Sequence, residues 1–295
     1  MALIRLDRLL TLYFFYPLKR IRSRSREPRI PILMYHSVSE GRQEGVRPYY
    51  ETTTSSQVFA EHMKFLHENE YSVIDFGYVA RCLKRGKRIE QKTVVITFDD
   101  GFHDFYTQAF PVLQRYRFSA TVFLPTGFIR NVRRSFSGKE CITWNEVREL
   151  HGKGVTFGSH TVTHPRLSLL ELQHVEFELK HSKERIQNEI GEPIDSFSYP
   201  FAFPEEDKHF TANLRVLMQS VGYNNGVTTT IGTITPADNL LFLKRIPINS
   251  FDDLPLFRAK LDGAYDWLHQ IQYLFKRFIK NDSRVRPLSN HCPTS

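Results

Sequence analysis

Cysteine is scarce in this 295-residue chain: Cys82, Cys141 and Cys292 are the whole set, odd in number and far apart. With no Cys-x-x-Cys pair they offer neither a disulfide framework nor a thiolate metal site, and a reducing compartment is the expectation. Long apolar runs are missing too. The most apolar stretch near the start, Leu9 to Leu18, is interrupted by Thr11 and preceded by Arg5, Asp7 and Arg8, whereas a spanning helix needs about 20 apolar residues. The same stretch runs directly into Lys19, Arg20, Arg22, Arg24 and Arg26 without a small-residue cleavage site, which argues against a secretory signal. There is no internal repeat and no low-complexity tract. Nor is there a helix-turn-helix, zinc finger or aromatic strand motif, so a nucleic-acid partner is not expected.

What remains is an ordinary globular composition, 41% hydrophobic and 24% charged, in a chain long enough for one large domain with a sizeable core. Its formal charge of +8, from 40 basic and 32 acidic side chains, attracts polyanions of any kind, including anionic lipid headgroups and phosphorylated sugars. The expected organisation is a basic leader over residues 1–28, one α/β domain over 29–261, and a C-terminal helix with a tail over 262–295. The leader is either a poorly ordered tail or a segment at an anionic membrane surface. The expected location is cytoplasmic, at the inner membrane face in the second case.

From residue 29 onward short apolar runs alternate with helix-like stretches, the pattern of a parallel sheet wrapped by helices. The predicted strands are Arg29–Tyr35, Tyr71–Ile74, Thr93–Phe98, Ser119–Leu124, Val155–Ser159, Ser196–Tyr199, Asn225–Thr228 and Leu241–Ile246. Val94-Val95-Ile96 is apolar on both faces, as a covered strand should be. Thr143 with Glu146, and Ser168 with Glu171, read as capping boxes that start helices, and the second helix should end at Gly191. Trp144, in the first turn of a capped helix, is expected in the core. Residues 126–141 read as a loop. From Leu254 to Lys280 Ala264, Leu268, Ile271, Phe275 and Phe278 share one helical face, either packed on the body or lying on a membrane surface.

Two local features carry chemistry. In Thr97-Phe98-Asp99-Asp100-Gly101, adjacent carboxylates leave the most apolar strand at a glycine turn; burying either without a cation or donors would cost several kcal/mol. Capping of the following turn by Asp100 is the plainer alternative. In His160-Thr161-Val162-Thr163-His164, two imidazoles four positions apart follow another strand. Among 12 histidines about half of one such pair is expected by chance, so position decides: both features leave the C-terminal ends of predicted parallel strands, where catalytic groups gather. One carboxylate and two imidazoles leave coordination positions open, as at a catalytic divalent ion.

Together with Phe197-Ser198-Tyr199-Pro200-Phe201, these segments resemble, in order and spacing, the polysaccharide deacetylase (NodB-homology) family over roughly residues 30–260. The resemblance implies a distorted, incomplete (β/α) barrel, with Asp100, His160 and His164 as ligands of a divalent ion, usually zinc, and Asp99 as base. It also implies the backbone N–H of Phe201 as a donor to the tetrahedral oxyanion. The implied reaction removes an N-acyl group, by expectation N-acetyl, from an amino sugar of a polysaccharide or lipid-linked glycan.

The departures are specific. Ser198 stands where the family's third motif has the arginine that holds the base, and Ala202 where it closes on glycine. Arg245, in a late strand, is the candidate tether, a surface or structural arginine being the alternative. That late strand also lacks the histidine that serves many members as general acid. Pro31 to Ser37 resembles the first strand of the poly-N-acetylglucosamine deacetylases, whose rearranged barrel puts an N-terminal histidine there, which assigns the role to His36. A binding protein that keeps the barrel and has lost turnover would show the same departures.

Overall fold

The computed structural model describes residues 5–22, 29–41 and 45–274. Seven parallel strands close into a barrel: β1 (Ile32–Tyr35), β2 (Thr93–Phe98), β3 (Ala120–Leu124), β4 (Val155–Ser159), β5 (Ser196–Ser198), β6 (Asn225–Ile231) and β7 (Leu243–Pro247). Going round it, β1 pairs with β2, each later strand pairs with the next, and β7 returns to β1 through Leu33 opposite Ile246. The ring is distorted where β4 meets β5 at Ser159 opposite Phe197, and a register shift interrupts β6 against β7. Seven strands, one short of the eightfold barrel, meet the expectation of an incomplete (β/α) barrel. Each strand predicted from pattern exists, with ends moved by up to three residues; Ser72–Val73 pairs only with the start of β2 and stays outside the ring.

The helices are α1 (residues 6–22), α2 (Ser56–Glu68), α3 (Phe76–Lys84), α4 (Phe110–Tyr116), α5 (Trp144–Leu150), α6 (Leu172–Ile190), α7 (Lys208–Val221), α8 (Leu254–Leu261) and α9 (residues 267–274). Helix α5 begins at the predicted capping box, with Thr143 and Glu146 exchanging bonds, and Trp144 is fully buried in the core. Helix α6 ends as predicted at left-handed Gly191, but its N-cap is Glu171; Ser168 sits in a preceding 3-10 turn over Leu167–Leu169. Residues 126–141 contain a short hairpin pairing Ser135–Phe136 with Lys139–Glu140. The single helical face expected from Leu254 onward is broken, because the chain turns through residues 262–266, where Gly263 takes a φ of +71°. Phe275, Phe278 and Lys280 lie outside the described residues.

Residues of the expected leader form α1, which is docked rather than loose. Arg5 pairs with Asp252, Arg8 with Asp253, and Tyr16 donates to Asp262. Phe15 stacks on Trp267, whose indole donates to Thr11. Beneath α2, Tyr35, Phe59, Phe98 and Phe105 pack ring against ring and fill the core under the start of the site.

Candidate active site

A parallel barrel delivers all its strand ends to one side, and the functional candidates collect there. His36 follows β1, Asp99 and Asp100 follow β2, His160 follows β4, Phe201 lies just beyond β5, and Arg245 comes from within β7. His36, Asp99, Asp100, His160, His164 and Phe201 line one cleft of about 700 Å³.

The backbone is bent to achieve this. Asp100, Thr161, His164 and Phe201 all adopt positive φ, between 54° and 70°, a conformation that residues with a side chain enter at a cost of order 1 kcal/mol or more. The surroundings hold them there. Gly101 is also left-handed, and a Cβ on it would meet Leu124 at 2.8 Å. A Cβ on Gly127 would meet the Val162 carbonyl oxygen at 2.5 Å, the same oxygen that accepts from the Gly127 N–H. Buried Glu178, on α6, accepts from the N–H groups of Val162 and Thr163 and from the Thr163 hydroxyl at 2.6–2.9 Å, pinning the turn between the two histidines.

Asp100, His160 and His164 present their ligand atoms to one another. The Nε2 atoms are 3.1 Å apart and stand 3.6 and 3.4 Å from Asp100 Oδ1. Ligands on a tetrahedral ion with bonds of about 2.0–2.1 Å lie about 3.3 Å from each other, so the trio fits a small divalent cation. Two further observations support the fit. Asp100 Oδ1 is buried with no hydrogen-bond partner. The Ser198 carbonyl can only accept, so His160 donates through Nδ1 at 2.8 Å and keeps the Nε2 lone pair facing the trio. The charges agree: burial and the neighbouring Asp99 push the Asp100 carboxyl up to about 8, while burial and His160 push His164 down to about 3. A cation would relieve both.

Asp99 stands next to this trio in a different environment. Arg245, fully buried, donates to its two oxygens at 2.8 and 2.7 Å, and Ser198 Oγ donates at 3.2 Å. Burial alone would raise this carboxyl, but Arg245 and His160 outweigh it and hold it well below the usual range. The same guanidinium is fixed by the Thr228 carbonyl, the Thr97 hydroxyl and the Ser198 hydroxyl. Ser198, the departure in the third motif, thus meets Arg245 at the same carboxylate. His36 faces the cleft with Nε2 4.0 Å from Asp99; burial pushes it down to about 4, against the pull of that carboxylate. The Phe201 ring lies 4.7 Å from His164 and remains exposed at the rim.

The structure therefore brings together all seven residues singled out from sequence. His103 is turned instead toward Glu146, 3.2 Å away. Pattern reasoning missed Glu178, which no local motif distinguishes from any helical glutamate, and Phe136, which the hairpin holds 5.0 Å from His164. It also missed Tyr49 and Tyr50, which line the same cleft.

Residues 86–226 match the family model described as polysaccharide deacetylase. YxkH of Bacillus subtilis, whose name places it among polysaccharide deacetylases, is 31% identical over 237 residues, 80% of this chain and 76% of that protein. A poly-β-1,6-N-acetyl-D-glucosamine N-deacetylase of Staphylococcus aureus is 23% identical over 72% of this chain and 73% of its own. Among solved structures, the Streptococcus pyogenes deacetylase PplD, in complex with acetate, superposes with a TM-score of 0.68 over 80% of this chain and 99% of its own, at 24% identity; that likeness shows the fold.

Proposed function

The chain belongs to the polysaccharide deacetylase family, hydrolases that deacetylate glycans, and from that premise we propose a metal-dependent removal of an N-acyl group, by expectation N-acetyl, from an amino sugar. The observation that carries this reading is the meeting of Asp100, His160 and His164 within 4.8 Å of one another beside an Arg245-held Asp99. Relatives named as N-acetylglucosamine polymer deacetylases support an amino-sugar polymer as the substrate class; a lipid-linked glycan is the alternative substrate of the same chemistry. We place the work in the cytoplasm, on the scattered cysteines.

Asp100, His160 and His164 would hold the ion, and two imidazoles with one carboxylate suit zinc. When bound, the ion supplies Lewis acidity toward the acyl oxygen and lowers the pKa of water. Asp99 would accept the proton of the attacking water, and Arg245, donating to both of its oxygens, keeps that carboxylate charged and aimed. The Phe201 N–H donates to the oxygen on which negative charge develops. His36 delivers a proton to the departing nitrogen. Burial pushes its imidazole down to about 4, and the carboxylate 4.0 Å away is the group that favours its charged form.

Acetate release from an N-acetylglucosamine oligomer tests the proposal. It should be lost in Asp99→Asn and on chelation, and return with added zinc. A protein that retains the oligomer and releases no acetate under any metal would be a binding protein on this fold.

A further inference from the structure

Helix α1 is amphipathic in an unusual sense: apart from Phe15, its contacts with the body are mostly polar, while a set of large apolar side chains points out. Arg5, Arg8, Thr11 and Tyr16 bind the body, while Leu6, Leu10, Tyr13, Phe14 and Ile21 are exposed. Tyr13 is 75% and Ile21 80% accessible. These positions recur at helical spacing and form one stripe. The ion pairs and the Phe15–Trp267 stack fix that stripe to face away from the barrel. Among the described residues no helix is long and apolar enough to cross a membrane. An exposed apolar stripe on a docked helix of this length is instead the geometry of a helix lying in the plane of a bilayer surface.

The charge that follows the stripe in the sequence selects the surface. In the sequence Arg20, Arg22, Arg24 and Arg26 place four basic residues and no acidic one in seven positions, a run worth about 1 kcal/mol per residue against an anionic leaflet. We propose that the outward face of α1 docks on an anionic phospholipid surface. The cleft is tied to that face. Helix α9, which carries Trp267 against α1, also carries exposed Ile271 and Leu274, and its Gln272 donates to the Tyr49 hydroxyl at the cleft wall. The rim of the cleft therefore sits on the element that supports the docked helix, which suits a glycan held at the membrane. This consequence for substrate rests on the deacetylase reading; the docking itself does not.

Flotation of the full chain with vesicles tests it. The chain should float with phosphatidylcholine vesicles containing phosphatidylglycerol and remain below with phosphatidylcholine alone. The triple variant Leu6→Ser, Tyr13→Ser, Ile21→Ser should lose about tenfold or more in partitioning, with unchanged thermal unfolding and unchanged acetate release from a soluble oligomer. The proposal is overturned if the unaltered chain fails to bind the anionic vesicles, or if the triple variant binds them equally. It is overturned as well if light scattering finds a dimer that the variant dissociates, since a second copy would then cover the stripe. None of these readouts needs catalysis, so a failed activity assay and a failed docking are separable.

Discussion

Arg245→Met removes both charge-assisted bonds to Asp99 and leaves a carboxylate that is 2% exposed with one hydroxyl donor and a neutral imidazole 4.0 Å away. Breaking a buried pair by deleting one partner costs about 3–5 kcal/mol, because the survivor keeps its desolvation penalty. Against a total stability of about 5–15 kcal/mol, the variant should still fold in water and unfold at visibly lower urea. Asp99→Asn alone strands the guanidinium and should be destabilising too. With both replaced, no uncompensated charge remains, so the double variant should be more stable than the sum of the single losses by about 2 kcal/mol or more. Urea unfolding of the four proteins, followed by the fluorescence of Trp144 and Trp267, measures the cycle. If Arg245→Met cost under about 1 kcal/mol, or if the two losses added to within about 0.5 kcal/mol, the guanidinium would not be the tether of Asp99. Arg245→Lys sharpens the test. One ammonium cannot span both oxygens, so part of the stability should return while kcat stays depressed.

His36→Gln should lower turnover of an N-acetyl amide by about 10²–10⁴-fold and leave an activated aryl acetate nearly untouched, since a phenolate leaves without a proton; equal losses on both substrates would remove His36 as the acid. In metal-free protein Asp100 holds its proton up to about pH 8. Ion uptake should therefore displace one proton, and affinity should rise about tenfold per pH unit between about 6 and 8 and then level off; calorimetry in two buffers of different ionisation heat counts the proton. Buried His62, which accepts from Tyr35 and donates to the Asp252 carbonyl, is pushed by burial down to about 4 from 6.5. The unfolded chain takes up this proton first as pH falls, so the native state should lose up to about 3 kcal/mol between pH 6.5 and 4. In His62→Phe that loss should shrink, as seen in urea midpoints across the range.

The barrel was legible because its strands are buried on both faces and so read as continuous apolar runs; all six residues of β2 are buried. The charged ends were legible because Asp99, Asp100, His160 and His164 follow such runs directly. Periodicity could not see residues 262–266, where Gly263 turns the chain although the apolar spacing continues. Nor could it tell that α1 is inverted. Its apolar residues invite the assumption that they are the buried ones, yet hydrogen bonds from Arg8, Tyr16 and Trp267 decide which side faces in. Glu178 was hidden for a related reason: its carboxylate answers N–H groups made available by a left-handed turn, and no side-chain pattern encodes those.

The third motif looks damaged when read along the chain and complete when read across the barrel. In a closed ring of strands, inward-facing side chains from strands that are not neighbours meet at the centre. A guanidinium can thus reach the end of β2 from β5 or from β7. Here it comes from β7, and Ser198 on β5 fills the space beside it with a hydroxyl that both accepts from Arg245 and donates to Asp99. An arginine introduced at Ser198 alone would set a second guanidinium against the first in a volume with one carboxylate to share, leaving a buried charge uncompensated. Ser198→Arg should therefore be strongly destabilising by itself, and tolerated only when Arg245 is shortened at the same time, for instance to Ser. If Ser198→Arg proved as stable as the unaltered chain, the two positions would not compete for one carboxylate, and the barrel-crossing account of this site would fail.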